Sequence, residues 1–254
     1  FLPLFLARDI FPENRLHRLH REKQIGSAMA PCGEKSQEAI SSVVIIIAMQ
    51  TEAMPLVNKF ELKEDQDSVF PEGVPWVRYH GTYKDLHLNI IWPGKDTSLE
   101  VDSVGTISAS LVTYASIQAL KPDLIINAGT AGGFKGASIG DVFLISDVAF
   151  HDRRIPIPVC KLSTGDSLDM SSQDETSITA NDATIKDMEG AAVAYVADLF
   201  KVPAIFVKAV TDLVDGDKPT AEEFMQNLVA VTAALEQSVS QVIDFINGKR
   251  FSEL

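Results

Sequence analysis

The sequence contains few residues of the kinds that build disulfide frameworks and metal sites. Its two cysteines, Cys32 and Cys160, lie far apart and without CxxC spacing, so neither a disulfide framework nor a zinc site is predicted. Among its five histidines, His17, His20 and His151 lie beside arginines or in the N-terminal tail rather than in a ligand cluster. We therefore expect a protein without a bound metal.

Basic charge and long apolar runs are scarce as well. Lysine and arginine number 22 against 35 aspartates and glutamates, which gives a formal net charge of −13, whereas a phosphate backbone is bound by clustered positive charge. No apolar run approaches the roughly 20 residues that cross a bilayer. We expect neither nucleic acid nor a membrane as a partner, and we expect a cytoplasmic location.

The first 40 residues show neither the periodicity nor the turn chemistry of a packed element. Met29-Ala-Pro resembles a natural start, so residues 1–28 are interpreted as an upstream extension or a weak targeting peptide. We expect residues 1–40 to be disordered or loosely attached. The folded domain is then predicted to span residues 41–254.

The rest of the chain alternates strand-like and helical patterns, which is typical of an α/β fold with helices on both faces of a sheet. A β-branched run at 43–48 predicts a strand buried on both faces, and 61–75 is predicted to be a loop. Further strands are predicted at 76–80, 86–92, 124–127, 141–146 and 204–210. Helices are predicted at 105–120, at 190–199 and from Thr220 to a stop at Gly248.

Sequence signals also predict how two of these helices pack. The helix after Gly190 is expected to pack tightly against the sheet, through residues at helical spacing: Ala191, Ala192, Tyr195, Val196 and Leu199. Thr220 and Glu223 have the spacing of a capping box. The amphipathic stripe that follows Glu223 is interpreted as structural.

Acids and glycines collect where predicted strands end. Glu52 follows the first strand, Gly129–Gly133 forms a glycine-rich turn after another, and Asp212 follows a third. Ligands bind at the carboxyl ends of strands in such sheets, and Met188 and Glu189, at the start of the core helix, can face the same crevice. The plainer alternatives are that an acid in a first helical turn favours the positive helix end and that the glycines form an ordinary tight turn.

Five stretches in this order resemble the signature blocks of the 5′-methylthioadenosine nucleosidases, and the plant type most closely: 48–53, 126–133, 163–166, 187–192 and 210–212. The resemblance covers essentially residues 41–254. It implies a three-layer α/β/α sandwich with a central mixed sheet, nucleoside phosphorylase-like, assembled as a homodimer. It further implies hydrolysis of the N-glycosidic bond of 5′-methylthioadenosine to adenine and 5-methylthioribose in methionine salvage, without a metal or organic cofactor.

The same resemblance implies roles for individual residues. Glu52 is similar to the carboxylate that activates the attacking water, and Asp212 to the acid that protonates the leaving adenine. The expected substrate-binding residues are Thr130, Leu168, Lys186, Asp187, Met188 and Glu189. Positive charge grows on the ribose and negative charge on the base as the bond breaks, so Asp212 needs a raised pKa to keep its proton near pH 7.

Two other functions are compatible with the same fold. A purine nucleoside phosphorylase would need basic side chains around phosphate, and Lys95 is the one candidate that the sequence offers. A non-catalytic binding or storage protein is the other alternative, because fold does not fix function.

The stretch 151–163 departs from the nucleosidase pattern. Parallel strands need a crossover of a dozen or more residues, usually with a helix, but this stretch has two prolines and no helical pattern. The nucleosidases carry an extra loop, a helix and most of a strand here, so the chain resembles an internally shortened form joined near Val159 and Cys160. We expect an altered sheet edge with an exposed apolar face, a changed dimer contact, a looser pocket wall near Leu168 and weakened activity.

Overall fold

The computed structural model describes residues 38–134, 136–152 and 162–254. The predictions for residues 1–37, for both cysteines and for 153–161 lie outside these ranges. Ile40 is buried, and its amide donates to the Lys249 carbonyl at 2.9 Å, so the packed region includes residues before 41. No helix in the described part of the chain is both long and apolar enough to cross a membrane.

The described residues form an alternating series of strands and helices. The strands are β1 (Ser42–Ile46), β2 (Lys63–Glu64), β3 (Val77–Tyr83), β4 (Leu86–Trp92), β5 (Leu124–Gly133), β6 (Val142–Leu144), β7 (Val148–Phe150), β8 (Leu162–Thr164), β9 (Ile185–Asp187) and β10 (Ala204–Leu213). The helices are α1 (Gln50–Lys59), α2 (Thr106–Leu120), α3 (Ser172–Ala180), α4 (Gly190–Leu199) and α5 (Thr220–Ile246), followed by a 3₁₀ turn at Phe251–Glu253.

The strands form one mixed sheet in the order β2-β3-β4-β1-β5-β9-β8-β7, with β10 paired to β5 and β6. β1 is parallel to β4 and β5, and β10 is parallel to β5, whereas β3 pairs antiparallel to β4 and β5 antiparallel to β9. β5 is central, because β1 lies beside its first half and β9 beside its last two residues.

Two hydrophobic cores cover the two faces of the sheet. Val43 and Ile45 of β1 join one core with α1 and α5, whereas Val44 and Ile46 join the other core with α2 and α4. This alternation confirms the prediction of a strand buried on both faces. The result is the expected three-layer α/β/α sandwich, so that prediction is confirmed as well.

The prediction of a glycine-rich turn at Gly129–Gly133 is wrong, because those residues continue β5. Their backbone groups pair with β10 on one side, and Gly132 and Gly133 pair with β9 on the other. Pairing with β10, and with β9 at the last two residues, keeps the strand extended despite its glycines. The helix predicted at 190–199 is α4, but Glu189 is its N-cap residue rather than part of its first turn, and Lys186 and Asp187 belong to β9.

Two packing predictions fail at the surface. Ala191, Ala192 and Val196 of α4 are buried as expected, but Tyr195 and Leu199 are exposed. The predicted capping box is absent, because Pro219 is the N-cap residue of α5 and makes no side-chain cap. The Glu223 carboxylate accepts instead from the Leu213 amide at 2.9 Å.

The loop predicted at 61–75 contains the short strand β2.

The described strands on either side of the stretch 151–163 belong to the sheet. The strand predicted at 141–146 is confined to β6, which pairs antiparallel with β10, and β7 follows it as a separate strand parallel to β8. All three residues of β8 are buried. The expected exposure of an apolar face therefore does not occur at β8.

Candidate active site

A cavity of about 240 Å³ opens where β1, β5, β9 and β10 end. The structure brings all eight predicted site residues to its wall: Glu52, Thr130, Leu168, Lys186, Asp187, Met188, Glu189 and Asp212. These residues come from two helix starts, three strands and a loop. Their convergence follows from the parallel pairing of β1, β5 and β10, which places the carboxyl ends of those strands side by side.

Glu52 is held in the first turn of α1 and is only 2% exposed. Its Oε1 accepts hydrogen bonds from both the amide and the hydroxyl of Thr130 at 2.7 Å, and Oε2 accepts from the Met49 amide at 3.2 Å. Burial raises the pKa of Glu52, while the Thr130 bonds and the charge of Lys208 oppose that rise. The carboxylate is oriented before any ligand arrives.

Glu189 reaches the cavity from the N-cap position of α4. Its Oε1 accepts from the Gly105 amide at 3.0 Å, just before α2 begins. Burial raises the pKa of Glu189 to about 7, with Lys208 lowering it and Asp187 and Glu52 raising it. Glu189 is therefore poised to change protonation near neutral pH.

The Asp187 carboxylate is occupied by the protein itself. Its Oδ1 accepts from the Thr164 hydroxyl at 2.6 Å, and its Oδ2 accepts from the Gly190 amide at 2.8 Å. The Lys208 ammonium lies 2.7 Å from the same Oδ2. Asp187 lines the cavity, but its side chain joins β8, β9, β10 and the start of α4.

Asp212 is aimed into the cavity by an irregularity in β10. The pairing with β5 shifts between Val210 and Asp212, so Thr211 is bulged and the register resumes with Asp212 opposite Gly132. Oδ1 accepts from the Thr211 hydroxyl at 2.7 Å, while Oδ2 is buried without a hydrogen-bond partner in the described structure. Burial raises the pKa of Asp212, and the Thr211 bond and Lys186 oppose that rise.

Lys186 lies on the other side of Gly132 from Asp212, because Gly132 pairs with both residues. Its ammonium donates to the carbonyls of Ser167 and Leu168 at 2.8 and 2.9 Å. Burial lowers the pKa of Lys186, and nearby acids, Asp212 first, oppose this. Lys186 thus ties the loop that carries Leu168 to the end of the sheet.

Sequence reasoning missed several wall residues and also a buried lysine that is not itself part of the wall. Val104 and Phe224 add apolar surface, and Lys208, buried in β10, forms the ion pair with Asp187. The available signal was a lysine inside the apolar run Ala204–Val210, which requires a buried counter-charge. Lys95, the candidate for a phosphate site, is exposed and does not line the cavity.

No three His, Cys, Asp or Glu side chains among residues 38–134, 136–152 and 162–254 are grouped so that they could hold a metal ion. The chemistry open to the described side chains is proton transfer and charge stabilisation.

Comparison with known proteins identifies the family. The model of the phosphorylase superfamily matches residues 42–171 and 159–244. A 5′-methylthioadenosine nucleosidase of Arabidopsis thaliana is 64% identical over 242 residues, which cover 85% of this chain and 91% of the relative. The chain belongs to the 5′-methylthioadenosine nucleosidase family. A second Arabidopsis relative, a 5′-methylthioadenosine/S-adenosylhomocysteine nucleosidase, is 57% identical over 249 residues, covering 87% of this chain and 98% of that protein.

Solved structures agree with this nucleosidase assignment. The apo structure of an Arabidopsis 5′-methylthioadenosine nucleosidase superposes with a TM-score of 0.83 at 64% identity, covering 85% of this chain and all of that one. A futalosine hydrolase of Helicobacter pylori shares the fold alone, with a TM-score of 0.68 at 19% identity, covering 81% of this chain and 98% of that one. The two family matches overlap at 159–171, which includes the end of the stretch 151–163.

Proposed function

We propose that this protein hydrolyses the N-glycosidic bond of 5′-methylthioadenosine to adenine and 5-methylthioribose, as a step of methionine salvage. The observation that carries the proposal is the unpartnered, buried Oδ2 of Asp212 in the same cavity as Glu52 and Glu189. Glu52 and Glu189 face Lys208, whereas Asp212 faces Lys186 and Glu223. The cavity therefore holds two separate groups of acids, as bond cleavage with opposite charges on its two halves requires.

Glu52, Met188 and Glu189 form what we call the ribose side of the cavity. Positive charge develops on the sugar as the C–N bond lengthens, and ionised carboxylates stabilise it. Glu189, fixed by the Gly105 amide, accepts from the ribose hydroxyls. Glu52, fixed by Thr130, orients the attacking water and takes its proton.

Leu168, Lys186 and Asp212 form the purine side. Adenine is a poor leaving group as an anion, so it must receive a proton as it departs. Burial raises the pKa of Asp212, which favours its protonated carboxyl, and the Oδ2, which has no hydrogen-bond partner in the described structure, can donate to the five-membered ring of the base. Leu168 packs on the purine, with its loop tied down by Lys186.

Water is the nucleophile that suits this charge distribution, rather than phosphate. A phosphate dianion would enter a region with Glu52, Asp187 and Glu189, where the ammonium of Lys208 is already paired. The test is adenine release from 5′-methylthioadenosine in phosphate-free buffer. We expect turnover that phosphate does not increase; turnover that requires phosphate would overturn the proposal.

We also propose a homodimer formed through α2 and α4. These two helices pack against each other and expose an apolar surface: Ile107, Leu111, Tyr114, Tyr195, Leu199 and Phe200. The rings of Tyr114 and Phe200 are in contact, with centroids 5.5 Å apart, so the exposed groups are adjacent. Monomers rarely leave such a surface in water.

Val104, in the loop before α2, is 40% exposed and also lines the cavity. A partner seated on α2 would therefore lie near the cavity mouth. Light scattering on the purified protein tests the assembly, with Ile107→Glu as the disrupting variant and the exposed Glu222→Gln as the control. A monomeric wild type would overturn the proposed dimer.

The expected cytoplasmic location also stays a proposal, which cell fractionation tests.

A further inference from the structure

Lys208 occupies a position that is unfavourable for a lone cation. Its side chain is 1% exposed in the middle of β10, between Val207 and Ala209, which are themselves fully buried. Removing an ammonium from water costs several kcal/mol unless opposite charges compensate it. The direct compensation is the ion pair with Asp187, 2.7 Å away.

A second carboxylate approaches the same ammonium across Gly129. A Cβ built on Gly129 would lie 3.3 Å from the Lys208 Nζ and 3.4 Å from the Glu52 Oε1. Because Gly129 has no side chain, the Lys208 ammonium and the Glu52 carboxylate can both lie close to its Cα. Burial lowers the pKa of Lys208, but the charges of Asp187, Glu189 and Glu52 outweigh that effect and raise it.

We propose that Lys208 is a positioning residue whose single buried positive charge is shared by Asp187, Glu189 and Glu52 and keeps the ribose side ionised. This role rests on the proposed nucleosidase function. Three carboxylates against one ammonium leave the cluster net negative, which suits a cationic sugar. Without Lys208, mutual repulsion would make protonation of one acid favourable.

The charges that face Glu189 come from every element around it. Glu52 on α1 and Asp187 on β9 are negative, Lys208 on β10 is positive, and the amide of Gly105 donates from the start of α2. Asp166 binds the Thr106 amide of the same helix start, and His151, after β7, faces Asp187.

The sign of Lys208's effect on Glu189 follows from these charges. Lys208 is the one cation of the set at neutral pH, and it lowers the pKa of Glu189 against burial. Removing the ammonium therefore raises that pKa above its value of about 7. Glu189 would then be neutral at pH 7, and a neutral carboxyl stabilises a sugar cation poorly.

The test follows Glu189 directly by carbon NMR on protein labelled at the glutamate carboxyl carbons, with Glu189→Gln identifying its signal. In Lys208→Met, the titration midpoint should rise by about one pH unit or more, as expected when a close opposite charge is lost. Lys208→Arg, the matched control that keeps the charge, should shift it less. In Asp187→Asn the midpoint should fall, because a negative neighbour is removed and Lys208 loses its partner.

Opposite shifts in these two variants distinguish a shared charge from general damage to the fold. An unchanged Glu189 midpoint in Lys208→Met overturns the proposal. If Lys208→Met does not fold, Asp187→Asn decides, and a midpoint that stays or rises there overturns it too. The acid limb of the pH profile of kcat/KM should move with the midpoint. The NMR titration does not depend on turnover. If the Glu189 midpoint shifts as expected in the variants but the wild type releases no adenine, the nucleosidase function is contradicted while the role of Lys208 is supported.

Discussion

On the ribose side, Glu52 and Glu189 are held by backbone amides of other elements, whereas one oxygen of Asp212 on the purine side has no partner among the residues that the structure describes. The apolar walls differ in the same way. Met188 lies between β9 and α4, while Leu168 lies in the loop between β8 and α3 and is 39% exposed. The ribose side is preorganised by the sheet, and the purine side depends on a loop.

This difference indicates how substitutions on the two sides should act. Ribose-side charges act through fixed electrostatics, so their loss should reduce kcat. The loop of the purine side contributes contacts that are partly open to water, so its loss should change KM modestly. Asp212 is the exception on the purine side, because its position comes from the bulge in β10 and not from the loop.

The largest effect is expected on the ribose side from Glu52→Gln. The amide keeps the size of the side chain but cannot take a proton from water, so kcat should fall about a hundredfold or more with KM little changed. Steady-state adenine release measures both constants, and Glu222→Gln, an exposed change on α5, is the control. A rise in KM alone would make Glu52 a binding residue.

The next effect concerns the stability of the ribose side as a function of pH. The folded pKa of Glu189 is about 7 against an ordinary 4.5, so the cost of burying its charge is absent below pH 4.5 and complete above 7. As the pH rises through this window, Glu189→Gln should gain stability relative to the wild type, on the order of 1–3 kcal/mol. Thermal unfolding at pH 4.5 and 7.5 measures the change. An equal difference in Tm at the two pH values would contradict it.

A smaller effect is expected when Asp212, whose position depends on the bulge in β10, is displaced. A Cβ on Gly132 would lie 2.7 Å from the Val214 Cγ1 and 2.9 Å from the Asp212 Oδ2. Gly132→Ala should therefore shift Asp212 and lower kcat about tenfold, or about 1.4 kcal/mol of transition-state stabilisation. Glu222→Gln, the exposed change on α5, is the control. If Gly132→Ala releases adenine as fast as this control, Asp212 is not positioned by this packing.

The smallest effect should come from the loop of the purine side. Leu168→Ala removes partly exposed apolar surface, so we expect less than about 1 kcal/mol and a rise in KM of no more than about fivefold. Met188→Ala, its counterpart on the more buried ribose side, should raise KM further. The comparison of the two sides fails if Leu168→Ala has the greater effect.

Much of the fold was predictable because local patterns and global packing agree. The β-branched residues of β1 and the alternation of strands with helices led to the three-layer sandwich. The ends of β1 and β10 then placed Glu52 and Asp212 on one edge. The resemblance to the nucleosidase family, and not any periodicity in the sequence, led to the prediction of Leu168 as a substrate-binding residue.

Three of the failures share one physical cause, which is tertiary contact overriding local preference. Gly129–Gly133 extends β5 because β10 pairs with it along its length and β9 pairs with its last two residues, although glycine alone favours a turn. Glu223 binds the amide of Leu213, a residue remote from its own helix start. Lys208 was overlooked because its partners, Asp187 above all, come from other elements of the fold and are adjacent only in the folded chain.

The measurement that tests the account most directly is adenine release by Asp212→Asn at saturating 5′-methylthioadenosine, with substrate affinity measured in parallel. The amide preserves the shape of the side chain but has no acidic proton to give to the departing base. We predict a rate at least about a hundredfold below the wild type, with affinity nearly unchanged. Release at a near wild-type rate would contradict the account, because the free oxygen of Asp212 would then have no part in the reaction.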